Sequence, residues 1–539
     1  KYLSVGAALA AFSQQAVGCM KQPAAFVLLA DAPMMCYYDS VVNSLPHTEE
    51  TDMAQETENS LQELKNDPVL KHFLKICEYP HPSHHEQALS DYLLGWGKAQ
   101  GLECMRGREL EVYLRRPASL GYEKQPPILL QAHMDMVCEK APGVQQNFDR
   151  DPVPVMREGD LLTTGGKTTL GADNGLGVAL AMAALTEDIP HPELEVLFTT
   201  AEEDDFAGAK AAQGNWFHAR RMINLDNSVE NEIIVGSSGG SGMEFTLPAP
   251  QTEVPGGWGG VEIELQGLAG GHSGEDIHKG RGCANVLLAR FLAGALELGL
   301  RLADVRGGTF RVALTRSSRA LAALPAENLP ALQAMAAQFE KELRAEYQST
   351  APHLTLTAVQ ADCPPKAATQ TDTERFVRAM LLLPSGIKEM NGAYHEVVEA
   401  SCNLGEVYQK ESNFTIVAEV RAAHDSTLEW QLTQCRMAAA VLGAEVRLFG
   451  DYPGWAPNPD SAMLHLAKQK MKDEFGTAPT VRAIHAGLES GAMMRAIPGL
   501  DAVSMGAAHW GLHSPRETAS IPSVGRTWRV LQAILAAKE

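Results

Sequence analysis

Ile128-Leu129-Leu130-Gln131-Ala132-His133-Met134-Asp135-Met136 is a short, largely apolar run that stops at a histidine and an aspartate. A run this brief reads as a buried strand. Two more follow the same plan: Leu194 to Thr200 runs up to Glu202, and Met222 to Leu225 runs up to Asp226. Helical stretches intervene, notably Leu176 to Thr186, and residues 61–76 and 84–100 carry apolar residues at helical spacing. Strands alternating with helices predict an α/β sheet. Each chemically interesting side chain falls just past a strand's end, where open α/β sheets place their ligand sites.

The texture changes near Gly236. The stretch GSSGGSG is turn-rich, and from Val261 the strands alternate apolar with polar: VEIELQ, TFRVALT, HLTLTAV and NFTIVAEV. Alternation predicts half-exposed antiparallel strands, with helices at about 283–298, 328–346, 372–383 and 427–442. After Asp451-Tyr452-Pro453-Gly454 the first texture returns. The expected layout is an α/β domain over 56–239 and 451–539, with a mixed sheet flanked by helices, and an α+β domain inserted over 240–450.

His133, Asp173, Glu203, Asp226 and His513 form a dispersed set of two imidazoles and three carboxylates, with Glu202 beside Glu203. Such a set suits two zinc ions, and Co2+ or Mn2+ can substitute because N/O ligands accept several divalent ions. His133 and Asp135 point the same way on an extended segment, so Asp135 can orient the imidazole that ligates. Adjacent Glu202 and Glu203 point apart, so one binds metal while the other faces the attacking water. Two zinc ions carry four positive charges; Asp173, Glu203 and Asp226 cancel three, and a bridging hydroxide cancels the fourth. Zinc brings the pKa of its water to about 7, and Glu202 is the expected general base. Each element also has an ordinary reading, as a structural histidine, a helix cap or a solvated acidic run. Two other motifs fail on context. Gly236-Ser237-Ser238-Gly239-Gly240 matches a nucleophile elbow but precedes a strand-like MEFTL. Gly165-Gly166-Lys167-Thr168 resembles a P-loop but has Leu161 where its first glycine belongs.

The chain has 539 residues, 45% hydrophobic and 21% charged, and a net charge of -21. That acidity argues against nucleic acid or an anionic membrane surface as partner. No apolar stretch reaches the ~18 residues of a membrane span. Nine scattered cysteines without a CxxC pair read as reduced thiols of a cytoplasmic protein. Residues 1–55 read as a poorly ordered N-terminal extension, with Met53 as a candidate first residue; the single basic Lys1 makes a signal peptide the lesser reading.

The runs LLQAHMDMV, TTLGADNG, TAEED, AQGNW, INLD, GGHSG, YPGW, IHAGLESG and HSP, in this order, resemble the aminoacyl-histidine dipeptidases (Xaa-His dipeptidases, or bacterial carnosinases). These belong to the wider di-zinc peptidase family that includes carboxypeptidase G and carnosinase. The resemblance runs from about Leu74 to the C-terminus. It implies a catalytic domain with an inserted lid, a dipeptide substrate and a homodimer. It places His133 and Asp226 on one zinc, Glu203 and His513 on the other, and Asp173 as the bridge, followed by a cis peptide bond. Glu202 becomes the base and Asp135 the orienting carboxylate. In the lid it implies that His272 holds the carbonyl oxygen and Arg421 the substrate carboxylate, with Asn285 and Glu489 as further substrate contacts. The alternatives are an amidohydrolase acting on N-acyl amino acids and a catalytically inactive homologue. The sequence departs from the family pattern at His509-Trp510, where the pocket for a histidine side chain is expected to differ, and in AEEDDFAGA, which lacks the usual glycine after the paired glutamates.

Overall fold

The computed structural model describes residues 61–392 and 394–538; the extension expected over 1–55 lies outside them. An eight-stranded mixed sheet orders its strands as Glu103–Arg106, Val112–Arg116, Leu194–Thr199, Ile128–His133, Arg221–Asn224, Asp501–Ser504, Glu232–Ile234 and Thr480–Arg482. Its centre is parallel: Ile128–His133 lies between Leu194–Thr199 and Arg221–Asn224, both running with it. All six residues of Ile128–His133 are buried, because both faces of the sheet are covered. Ile128, Leu130 and Ala132 face one apolar core, and Leu129 faces a second. The helix Ala172–Thr186 fills the first core, buried over nearly its whole length. The helix Glu489–Ala496 covers the other face through Ala492 and Met493.

Between the strands Glu232–Ile234 and Thr480–Arg482 the chain leaves to build a nine-stranded antiparallel sheet from residues 239–452, with its own apolar core around Phe245, Ile263, Phe291, Phe376 and Phe414. Gly239–Pro248 is one of its strands, so no helix follows the GSSGG run and a nucleophile elbow is ruled out by geometry. Four helices expected there are found, at Ala284–Ala295, Leu329–Glu346, Gln370–Leu382 and Asp425–Leu442.

The structure departs from the sequence reading in two places. The helix expected over 61–76 is interrupted: Pro68 cannot continue it, and Asp67 Oδ1 accepts from the N–H groups of Val69 and Leu70, restarting a helix at Leu70–Ile76. TFRVALT is not a strand of the large sheet; only Ala313–Leu314 pairs, with Gly271–His272. The sheet is built instead by Arg301–Gly307 and Ser318–Pro325, which flank it. Gly308 turns the chain out with a φ of +72°, and Asn403 Nδ2 donates to the carbonyls of Arg311 and Ala313 at 2.8 Å each, fixing the excursion.

Close packing around the Asp173 loop accounts for its glycines. Gly177 lies on the helix Ala172–Thr186, where a Cβ would come 2.6 Å from the carbonyl oxygen of Leu225, next to Asp226. An exposed helical glycine replaced by alanine gains about 1 kcal/mol. Here overpacking is expected to reverse the sign, so that Gly177→Ala costs ~1–3 kcal/mol, read as a lowered midpoint in thermal or urea unfolding. A raised midpoint would show that the contact with Leu225 yields freely.

Candidate active site

The strand ends bring the expected ligands together. His133 closes its strand, Glu202 and Glu203 follow Leu194–Thr199, and Asp226 follows Arg221–Asn224. Asp173 enters from the start of the helix Ala172–Thr186, and its bond to Asn174 is cis. His513 arrives on the loop between the paired strands His509–Trp510 and Thr518–Ser520, with a left-handed φ of +57°.

Asp173 stands between the two histidines with one oxygen toward each. Its Oδ1 is 3.2 Å from His133 Nε2, and its Oδ2 is 3.5 Å from His513 Nε2. Asp226 Oδ1 is 3.6 Å from His133 Nε2, while Glu203 Oε1 is 2.9 Å from His513 Nε2. The donor atoms of His133, Asp173 and Glu203 lie within 4.8 Å of one another. Two imidazoles and three carboxylates converging with one carboxylate in the middle fit a pair of divalent cations.

The charge state of the cluster supports the same fit. Burial raises the carboxyl of Asp226, and burial holds that of Glu202 well above the usual carboxylate range. Burial opposes charge on His133, yet the carboxylates of Asp226, Asp135 and Asp173 outweigh it and hold the imidazole well above its usual value. The carboxylates of Asp173 and Glu203 push His513 up to about 10. The carboxylates thus draw protons onto both rings, supplying positive charge that bound cations would provide instead.

A second set of carboxylates points away from the cleft and grips backbone. His133 Nδ1 lies 3.0 Å from the carbonyl oxygen of Asp135 and 3.5 Å from its Oδ1, so the carbonyl is the closer acceptor. The Asp135 carboxylate also accepts from the N–H groups of Glu202 at 3.0 Å and Glu203 at 3.2 Å, and from the Ser83 hydroxyl at 2.8 Å. Glu86 accepts from the N–H of Ala201 at 2.9 Å, where φ is +53°. Glu517 accepts from three amides of the Asp173 loop. Sequence reading missed Glu86 and Glu517, since neither sits at a strand end or in a spacing that marks a ligand.

A cavity of about 490 Å³ opens over the cluster, walled by Glu202, Asp226 and His513 on one side and by His272, Arg311, Glu419, Arg421 and Tyr452 on the other. His272 Nδ1 accepts from the N–H of Glu275 at 3.2 Å, which leaves the proton on Nε2. Burial, then the charge of Arg421, lowers its pKa to about 4, so it is a neutral donor at pH 7. Arg421 donates to the hydroxyl of Tyr452, which donates to Glu419 Oε1 at 2.9 Å, and Arg311 Nε donates to Glu419 Oε2 at 2.7 Å. Two guanidinium groups against one carboxylate leave positive charge in the wall. Arg311 and Glu419 were also missed; the excursion at TFRVALT, misread as a strand, is what delivers Arg311.

Two expected substrate contacts lie outside the cavity wall. Asn285 is buried and donates to the carbonyl of Leu404 at 3.0 Å and the hydroxyl of Thr315 at 3.1 Å, tying its helix to a strand of the large sheet and to the TFRVALT excursion. Glu489 is buried beneath the strand ends, accepting from Thr199 Oγ1 at 2.6 Å and from Gln131 Nε2 at 2.5 Å. The seven described cysteines are free thiols, and Cys138 packs against the main core.

Imidazoles and carboxylates gathered at strand ends, under a wall from a second sheet, fit a metal-dependent hydrolase. The chain belongs to peptidase family M20/M25/M40, whose profile matches residues 129–537. It is 37% identical to the cytosol non-specific dipeptidase of Escherichia coli K12 over 479 residues, 88% of this chain and 99% of that protein. It is similar to the crystal structure of aminoacylhistidine dipeptidase from Vibrio alginolyticus, with a TM-score of 0.82 and 34% identity over 89% of this chain and 98% of that one. Aminopeptidase PepT from Bacillus cereus shares the fold, with a TM-score of 0.50 and 16% identity over 87% of this chain and 98% of that one.

Because both histidines must be neutral to ligate, zinc binding to chelator-stripped protein at pH 7 is expected to release about two protons per chain. Calorimetry in buffers of different ionisation enthalpy measures this. Affinity is expected to rise with pH from 6 to 8, since the carboxylates of Asp173 and Glu203 push His513 up to about 10 and the zinc must displace its proton. Proton-neutral binding would mean that the imidazoles are already free.

Proposed function

We propose that this protein is a cytosolic dipeptidase that uses two zinc ions to hydrolyse Xaa-His dipeptides, carnosine-like ones included. The observation that carries the reading is the position of Asp173 between His133 and His513, beneath a wall holding Arg421 and a neutral His272. His133 and Asp226 would hold one ion, Glu203 and His513 the other, and Asp173 both. When bound, the pair supplies Lewis-acid polarisation of the scissile carbonyl and makes an attacking water more acidic.

The chain's own residues do the rest. Glu202 lies in the cavity wall and is held well up by burial; it takes the proton from the attacking water and delivers it to the leaving amine. His272 Nε2–H donates to the carbonyl oxygen as negative charge develops there. Arg421 grips the C-terminal carboxylate, which a guanidinium fork suits. It thereby measures substrate length, since a longer peptide would carry its carboxylate beyond reach. Asp135 sets Glu202 and Glu203 by holding both of their N–H groups. The dipeptidase names of the Escherichia coli and Vibrio alginolyticus relatives support a dipeptide substrate, and the latter supports histidine at its C-terminal position. Among the described residues no helix is long and apolar enough to cross a membrane. We take the working unit to be a homodimer.

Enzyme stripped by chelator and then given zinc is expected to release histidine from β-alanyl-histidine and Ala-His, and to leave N-acetyl amino acids intact. Release only from acylated amino acids would replace the dipeptidase reading with an amidohydrolase, and failure to take up metal would indicate an inactive homologue. Glu202→Gln is expected to keep both ions and lower kcat by about 10²–10⁴-fold. Near-normal turnover in that variant would remove Glu202 as the base.

A further inference from the structure

Glu517 stands four residues after His513, in His513-Ser514-Pro515-Arg516-Glu517, and is 2% exposed. It does not line the cavity. Its Oε2 accepts from the N–H of Leu170 at 2.7 Å and of Gly171 at 3.0 Å, and its Oε1 accepts from the N–H of Asp173 at 3.2 Å. These donors lie more than 340 residues away in sequence, so the contact is made only in the folded chain.

The amides converge because Gly171 takes a left-handed φ of +71°. A Cβ there would meet Met136 Sδ at 2.9 Å, which argues against an ordinary residue at that turn. A concave set of backbone N–H groups is a site for an anion, and here the anion is a side chain of the same molecule.

The other end of the contact is also fixed. Glu517 N–H donates to the carbonyl of Ser514 at 3.0 Å, and Ser514 Oγ donates to the carbonyl of Gly511 at 2.7 Å. His513 lies inside this self-bonded turn. Directly after Glu517 the chain enters Thr518–Ser520, which pairs with Leu161–Thr163 through Ala519 and Leu162. Glu517 therefore joins two rigid pieces: the turn that carries His513 and the loop that carries Asp173. Burying a carboxylate this near Asp173 is unfavourable by like-charge repulsion and desolvation. A purely structural link between two loops has no need of a second negative charge at that spot. A carboxylate does have what the geometry uses, two acceptor oxygens on a planar fork serving three donors at once.

We propose that Glu517 is a positioning residue for the metal pair: by holding the Asp173 loop against the His513 turn, it sets the span across which the Asp173 carboxylate reaches both histidines. The inference rests on the di-metal reading given above. The ion shared by Asp173, Glu203 and His513 depends on it most, because two of its three ligands are on the joined pieces.

The test titrates zinc into chelator-stripped wild type, Glu517→Gln and Glu517→Asp by calorimetry against a competing chelator. Melting temperature of the metal-free proteins and kcat and KM on Ala-His are measured alongside. Glu517→Gln keeps the shape but must turn its NH2 toward an N–H donor. Glu517→Asp keeps the charge but is too short to reach all three amides. Both are expected to bind the first ion normally and the second about 10–100-fold more weakly, as loss of a partner that orients a ligand does, and to lose kcat while KM stays within about twofold. A lower melting temperature with two ions bound at wild-type affinity and kcat intact would overturn the inference, leaving Glu517 a merely structural link. If Glu517→Gln does not fold, the Glu517→Asp titration decides by the same criterion. Wild-type protein that takes up fewer than two ions would instead overturn the di-metal reading itself.

Discussion

Buried carboxylates accept hydrogen bonds from the backbone amides of the two loops that carry Glu202, Glu203 and Asp173 into the cleft. Asp135 takes the N–H groups of Glu202 and Glu203, Glu86 takes that of Ala201, and Glu517 takes those of Leu170, Gly171 and Asp173. Loops at strand ends have few apolar contacts of their own and would otherwise sample many conformations. A charge-assisted bond to backbone is roughly twice as strong as a neutral one, and it fixes the main chain rather than a rotamer. The cleft therefore has two rings of acid. The inner ring, Asp173, Glu202, Glu203 and Asp226, faces the cavity. The outer ring faces the amides, and those N–H donors lessen the cost of so much negative charge in one place.

The two sheets divide the work. The parallel strands deliver side chains at fixed heights, because neighbouring strands in register end together: His133 is opposite Thr199, and Gln131 is opposite Asn224. Beneath them Gln131 donates to Glu489 and accepts from Asn224 Nδ2, and Thr199 Oγ1 also donates to Glu489, so even the floor of the site is bonded across three strands and a helix. The antiparallel sheet contributes the opposite wall through Glu419 and Arg421 on one strand and Tyr452 at the end of another. Its apolar core is separate, so the wall's geometry is set independently of the strand ends it faces.

Much of this was legible in the sequence because burial on both faces leaves an unmistakable trace. A six-residue apolar strand ending in histidine has few other readings, and Ile128–His133, Leu194–Thr199 and Arg221–Asn224 all followed it. Alternation located the second sheet, though not all its strands. TFRVALT alternates as well as any, yet Gly308, Asn403 and Glu419 draw it out of the sheet, and the last two lie roughly 90 to 110 residues away. Ser318–Pro325, rich in alanine, carried too weak a pattern to be noticed and yet forms a central strand. Glu86, Glu517 and Glu419 were invisible for a related reason. Their function lies in accepting from distant backbone or side chains, and one sequence gives no record of such pairings.

The opposite wall illustrates how burial converts ordinary residues into a specific chemistry. A histidine in water is partly protonated near neutrality, and a protonated ring would offer two donors and a full charge. His272 is half-buried and close enough to Arg421 to be held at about 4, and the N–H of Glu275 occupies its Nδ1. One donor remains, on Nε2. The same guanidinium that would attract a substrate carboxylate thus also keeps the imidazole neutral. Burial, the larger cause of the shift, would keep the ring neutral even after a carboxylate has neutralised the charge of Arg421, so the single donor on Nε2 is retained while both ends of a substrate are held.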